Sequence, residues 1–181
     1  MQTLFYYYKK PLIPFRSIMD MTNPEIIEFM NLSLPQDPVF HGDPPKYIKM
    51  RKDTEKWLYK SFCQLGGKPL TPHPIYMTLG RSSYIENLQL YPDCITVPLA
   101  HFSETIISFT YPDSYVSRWL ATTGNQYFNP NIHGKVFILS DLPHILSGEP
   151  CHNDAWKMKE RKFDFFIEAQ IWDPGAFQSI G

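Results

Sequence analysis

Phe163-Asp164-Phe165-Phe166-Ile167-Glu168-Ala169-Gln170-Ile171-Trp172 alternates with the period of a β-strand. Taken two at a time, Phe163, Phe165, Ile167, Ala169 and Ile171 make one wholly apolar face that belongs against a core. The opposite face carries Asp164, Phe166, Glu168, Gln170 and Trp172. A carboxylate and an amide among large aromatic rings suit a ligand cleft, where polar groups orient the ligand and flat apolar walls exclude water. The same pattern also fits a sheet with one solvated side, or a Glu168 neutralised by a neighbouring arginine. Either way a sheet is implied, and the rest of the chain has to supply its other strands.

Residues 4–8, a leucine and aromatic run stopped by Lys9-Lys10-Pro11, read as a strand near the sheet interior. Ile75–Leu79, ended by Gly80, is a second, and residues 95–99 a third whose Pro98 puts it at an edge or a strand end. Residues 105–110 and 135–139 add two more; Ser108 and Thr110 share a face opposite Ile107 and Phe109.

Asn23-Pro24 opens a short helix with Ile26, Ile27, Phe29 and Met30 on its apolar side. Asp43 caps the longest helix, and Gly66-Gly67 can close it in the left-handed conformation. Along it Tyr47, Met50, Thr54, Leu58, Phe62 and Leu65 recur at spacings of three and four, a stripe for the core. Arg51 and Glu55, four apart at the border of that stripe, read as an ordinary helical ion pair worth roughly 0.3 kcal/mol. Ser82-Ser83 opens a helix through Leu88. Asp113 or Ser114 caps another that Gly124 stops, and Ser140 or Asp141 begins a last one ending near Gly148. The crossovers lack the even rhythm of a doubly wound sheet. The expectation is an α+β fold, one domain over residues 1–181, with a mixed or mostly antiparallel twisted sheet of about six strands and four to five short helices.

Aromatic residues make up 15% of the chain, enough for an aromatic-rich core, and 17 prolines predict short elements joined by rigid connections. A formal charge of −1 gives no global field to draw polyanions or anionic membranes. The lysine-rich stretches 46–60 and 157–162 therefore read as solvated faces, and nucleic acid is disfavoured as a partner. Cys63, Cys94 and Cys151 are odd in number and lack CxxC spacing, which suits reduced thiols and a cytoplasmic protein. No basic-then-apolar leader and no run of membrane-spanning length is present, so no membrane association is expected. The histidines are scattered without an i,i+4 pair or an HExxH motif, which points to no metal site. Gly66-Gly67-Lys68 follows a helix where a phosphate loop would precede one. There is no GxSxG elbow.

In order along the chain, Leu4-Phe5-Tyr6-Tyr7-Tyr8-Lys9, Arg16-Ser17-Ile18-Met19, Pro74-Ile75-Tyr76-Met77-Thr78 and Phe166-Ile167-Glu168 resemble the motif order of ADP-ribosyltransferase-like domains. Tyr6 and Tyr7 stand where that superfamily carries a histidine or arginine on its early strand, and Gln170 follows the glutamate where many members have a glutamine before it. The resemblance implies nicotinamide adenine dinucleotide as substrate and no prosthetic group. It also implies Tyr76 stacking on the nicotinamide ring, Glu168 as the catalytic residue that stabilises a ribosyl cation, and Arg16 on a phosphate.

Two readings from different classes stay open. One is a nucleotide-type ligand cleft in an ADP-ribosyltransferase-like or NAD-glycohydrolase-like enzyme, with catalytic Glu168 and with Tyr76, Arg16, Tyr7, Gln170 and Trp172 around the ligand. The other is a non-catalytic binding or regulatory module that meets a protein or RNA through its aromatic and basic surface; the sequence identifies no particular protein partner.

Overall fold

The computed structural model describes residues 2–10, 12–33, 44–147 and 152–178 of the chain. Among them the strands β1 (Thr3–Tyr8), β2 (Ile75–Leu79), β3 (Asp93–Pro98), β4 (Ile107–Thr110) and β5 (Glu168–Ile171) form one sheet in the order β3-β1-β2-β5-β4. Every pairing is antiparallel. The α-helices are α1 (Asn23–Ser33), α2 (Pro44–Gln64), α3 (Ser83–Leu88), α4 (Ser114–Thr122) and α5 (Leu142–Ser147). The α+β class is as expected; the sheet is one strand narrower, and the 21 residues of α2 make it longer than a short helix.

The missing strand is the expected one at residues 135–139. Phe137 and Phe109 exchange both backbone hydrogen bonds at 2.9 Å, but the ladder stops there. The next amide, Ile138 N–H, donates to the Asp141 carboxylate at 2.9 Å, and the chain turns into a 3₁₀ segment, Leu139–Asp141. Both backbone groups of Phe137 face Phe109, so Ile138 N–H points away from β4, and its bond to Asp141 belongs to the turn that carries the chain off the sheet before a second rung forms.

The 163–172 strand is likewise shorter than its alternation suggested. Asp164 is buried against Arg161 Nε (2.8 Å) and His133 Nε2 (2.9 Å), which ties the first half of the segment to loops. Phe165 stacks on Tyr84, ring centroids 4.0 Å apart, away from the main core. From Ile167 onward the period-two reading holds, with Ile167, Ala169 and Ile171 fully buried. They join Leu4, Ile75, Met77, Leu79, Val97, Ile107 and Phe109 in the principal core.

The second face of the sheet is covered by α2. Tyr47, Thr54, Leu58 and Phe62 of the stripe are buried, and Phe62 stacks on Trp172 with centroids 5.8 Å apart. Leu65 lies past the helix end and is exposed, because the chain has already left helical geometry there. Gly66 adopts φ +91° and Gly67 N–H donates to Phe62 O at 3.0 Å. A Cβ on Gly67 would sit 2.5 Å from the Phe62 ring, so the stop needs glycine for space as well as for angle. The expected caps at Asp43 and Gly148 lie outside the described residues. No helix among the described residues is long and apolar enough to cross a membrane.

Candidate functional site

Residues directly opposite in an antiparallel ladder share a face, as do residues two apart on one strand. Tyr76 pairs with Gln170 and Thr78 with Glu168 across β2 and β5; Ser108 pairs with Gln170 and Thr110 with Glu168 across β4 and β5. All six therefore project toward α2 and α4 from three adjacent strands. This polar face is enclosed, with Glu168, Gln170, Thr78, Ser108 and Thr110 buried. The solvated-face alternative for this strand is therefore excluded.

A directed chain of hydrogen bonds crosses the patch. Trp172 Nε1–H donates to Ser108 Oγ (2.9 Å), Ser108 Oγ–H to Gln170 Oε1 (2.8 Å), and Gln170 Nε2–H to both Thr110 Oγ1 and Glu168 Oε1 (3.0 Å each). With Trp172 able only to donate, the sense of the chain and the orientation of the Gln170 amide are fixed. Glu168 Oε1 also accepts the backbone N–H of Ser114, at the start of α4, at 3.1 Å. Burial raises the Glu168 carboxyl above its ordinary range, against the pull of Arg51 and of the Ser114 and Gln170 donors.

Asp113, the N-cap of α4, accepts Val116 N–H at 3.1 Å. Desolvation first, and the charge of Glu168 second, push it up to about 7. Two carboxyl groups thus meet at one helix start.

Arg51 is their counter-ion, its guanidinium 3.7 Å from the centroid of the Tyr76 ring. Burial opposes its charge, but Tyr76, Tyr47, Glu55 and Glu168 together hold its affinity for the proton above the ordinary arginine value. Glu55, only 1% exposed, binds Arg51 Nε (3.1 Å), the Tyr76 hydroxyl (3.0 Å) and His73 Nδ1 (2.6 Å). The i,i+4 pair is therefore present, but the exposed-surface value attached to it does not apply: it is the buried anchor of a four-residue network. Thr54 Oγ1, one turn along α2, is buried without a partner among the described residues.

Two adjoining cavities open over this patch. One, of about 120 Å³, has Glu168 in its lining together with Phe5, Tyr7, Tyr76, Tyr91 and Phe166. The other, of about 210 Å³, is bounded by Tyr6 to Tyr8, Arg16, Ser17, Tyr47 and Arg51, and shares Tyr7, Tyr76 and Tyr91 with the first. Of the residues singled out in the sequence, Glu168, Tyr76 and Tyr7 come together around the first cavity, while Arg16 reaches only the second. There its guanidinium is held by both oxygens of Glu25. Gln170 and Trp172 are fully buried behind Glu168 and orient it from below.

Arg51, Glu55 and Asp113 went unrecognised as site residues. For the first two a signal existed: Arg51, Glu55 and Leu58 follow one another at helical spacing, so charge lies inside an apolar stripe. Among the described residues no three His, Cys, Asp or Glu side chains converge to hold a metal ion. Compared with protein-family models, curated protein sequences and solved structures, the chain matches none.

Proposed function

We propose that the protein binds a nucleotide-type ligand in this twin cavity and cleaves or transfers it at a glycosidic carbon. The observation that carries the reading is the buried Glu168 carboxylate in the lining of an aromatic cavity. A bond to a sugar C1 that breaks heterolytically leaves an oxocarbenium ion, which a fixed carboxylate in a water-poor pocket stabilises. Tyr76 and Tyr7 offer rings for a planar base, and Arg51 lies one cavity away for an anionic group. A dinucleotide such as nicotinamide adenine dinucleotide contains all three features.

Thermal shift with nicotinamide adenine dinucleotide, ADP-ribose and simple nucleotides tests binding, since a ligand that binds only the native state raises its stability, by about 2.7 kcal/mol at a hundredfold excess over Kd. Release of the free base tests turnover. Glu168→Gln should keep binding and lower turnover by about 10²- to 10³-fold, the loss typical of one electrostatic stabiliser. No shift with any of these ligands at saturating concentration overturns the reading and favours the binding module. That alternative has its own feature, a cavity of about 580 Å³ where Lys52 and Lys56 of α2 stand beside Met19, Met21 and Ile26.

A further inference from the structure

Glu168 and Asp113 reach the start of α4 from different parts of the fold, one along β5 and one as the residue that caps the helix. Their two hydrogen bonds, to Ser114 N–H and Val116 N–H, are both 3.1 Å and lie within one turn. Two carboxylates crowded at one helix end repel, so the pair releases its protons in two separate steps. The surroundings decide which oxygen keeps the proton. Glu168 has donors from Gln170 Nε2 and from Ser114, and it feels the stronger attraction of Arg51. Asp113 relies on backbone donors of its own helix, chiefly Val116 N–H. The other titratable groups facing the pair are Tyr76 from β2 and Tyr115 from α4, with Glu55 of α2 beyond Tyr76.

We infer that Asp113 and Glu168 act as one carboxyl pair that holds a single proton, with the proton on Asp113 and the charge on Glu168. Asp113 is thereby a positioning residue: it lets Glu168 remain an anion beside the cavity without a second full negative charge next to it. The functional meaning rests on the reading proposed above, in which Glu168 must be ionised to stabilise a cation. The upward shift of Asp113 to about 7 agrees with this division of roles.

The test follows the side-chain carboxyl carbons by NMR across pH, in the full chain labelled at aspartate and glutamate. The wild type should show one step near neutrality on Asp113 and a separate, lower step on Glu168. Asp113→Asn, which keeps a good N-cap, should abolish the neutral step and leave Glu168 titrating in its lower range. Glu168→Gln should drop the Asp113 titration toward the ordinary aspartate range. The inference fails if the wild type has no neutral step, if that step survives Asp113→Asn, or if Glu168→Gln leaves Asp113 unmoved. No substrate enters these measurements, so absent dinucleotide turnover would sink the proposed function without touching this result. With turnover present, Asp113→Asn should also change its pH profile, a readout that a purely structural cap would not move.

Discussion

At the scale of single residues, a carboxyl group that takes its proton more tightly in the folded chain than in the unfolded one makes folding weaken as pH rises. Asp113, raised from 3.8 to about 7, is such a group. Between those values the folded state binds more protons than the unfolded state, so stability falls as pH climbs from 3.8 to about 7 and levels off above. Asp113→Asn keeps the cap and removes the ionisation. Its urea midpoint at pH 8 should exceed that of the wild type by about 1–2 kcal/mol equivalent, a figure discounted because Asp113 is partly exposed. At pH 4 the two should nearly coincide, and an equal gap at both pH values would show that Asp113 does not ionise under strain. Sequence could name Asp113 as a cap, because capping is local. Its second part depends on which strand ends against the helix, and nothing near residue 113 encodes that. Glu168 is readable in the sequence because a period-two strand sorts its residues by face without reference to anything distant, whereas Tyr76 is singled out only by the family resemblance.

At the scale of elements, α2 carries most of what the sequence half revealed. Its apolar stripe is plain, yet Arg51 and Glu55 at the border of that stripe read as an ordinary helical ion pair, since an i,i+4 pair is spelled the same way whether exposed or enclosed. Only the position of Tyr76 and His73 against the helix distinguishes the two cases. The 135–139 segment stops after one bridge because the chain turns into the 3₁₀ segment Leu139–Asp141, closed by the Asp141 carboxylate on Ile138 N–H, before a second rung to β4 can form. The phase of α2 can be tested by three substitutions. Phe62→Ala should cost about 3–5 kcal/mol through lost contacts and the cavity left under Trp172, and Lys56→Ala should stay within about 0.5 kcal/mol. Thr54→Val removes a buried hydroxyl that has no partner among the described residues, so it should stabilise by about 1 kcal/mol. A destabilising Thr54→Val would mean that the hydroxyl is satisfied in solution, most simply by water.

At the scale of the whole molecule, the cleft is founded on the middle of the sheet and walled by its periphery. β2 stands at the centre of the order β3-β1-β2-β5-β4, with β1 and β5 paired on both sides and β3 and β4 at the edges. Tyr76 and Glu168 therefore stand on strands whose amides are bonded to neighbours and sealed beneath two layers. Arg16, by contrast, belongs to a turn before α1, outside the sheet, where its guanidinium is held by Glu25 and the Asp20 carbonyl. Backbone amides in a packed centre exchange with solvent only on global unfolding, whereas edge and peripheral amides exchange through smaller openings. The slowest amides should thus be those of Ile75–Leu79 and Glu168–Ile171, with the solvent-side amides of Asp93–Pro98 and the amides of α1 exchanging well before them. A nucleotide-type ligand should slow exchange most around Arg16 and the first turns of α2, because these walls have freedom to lose while the floor has almost none. If the ligand instead protects β2 and β5 alone, both walls are already rigid without it. Uniform exchange across centre and edge would mean that the sheet opens as a single unit and that the cleft has no independently mobile wall.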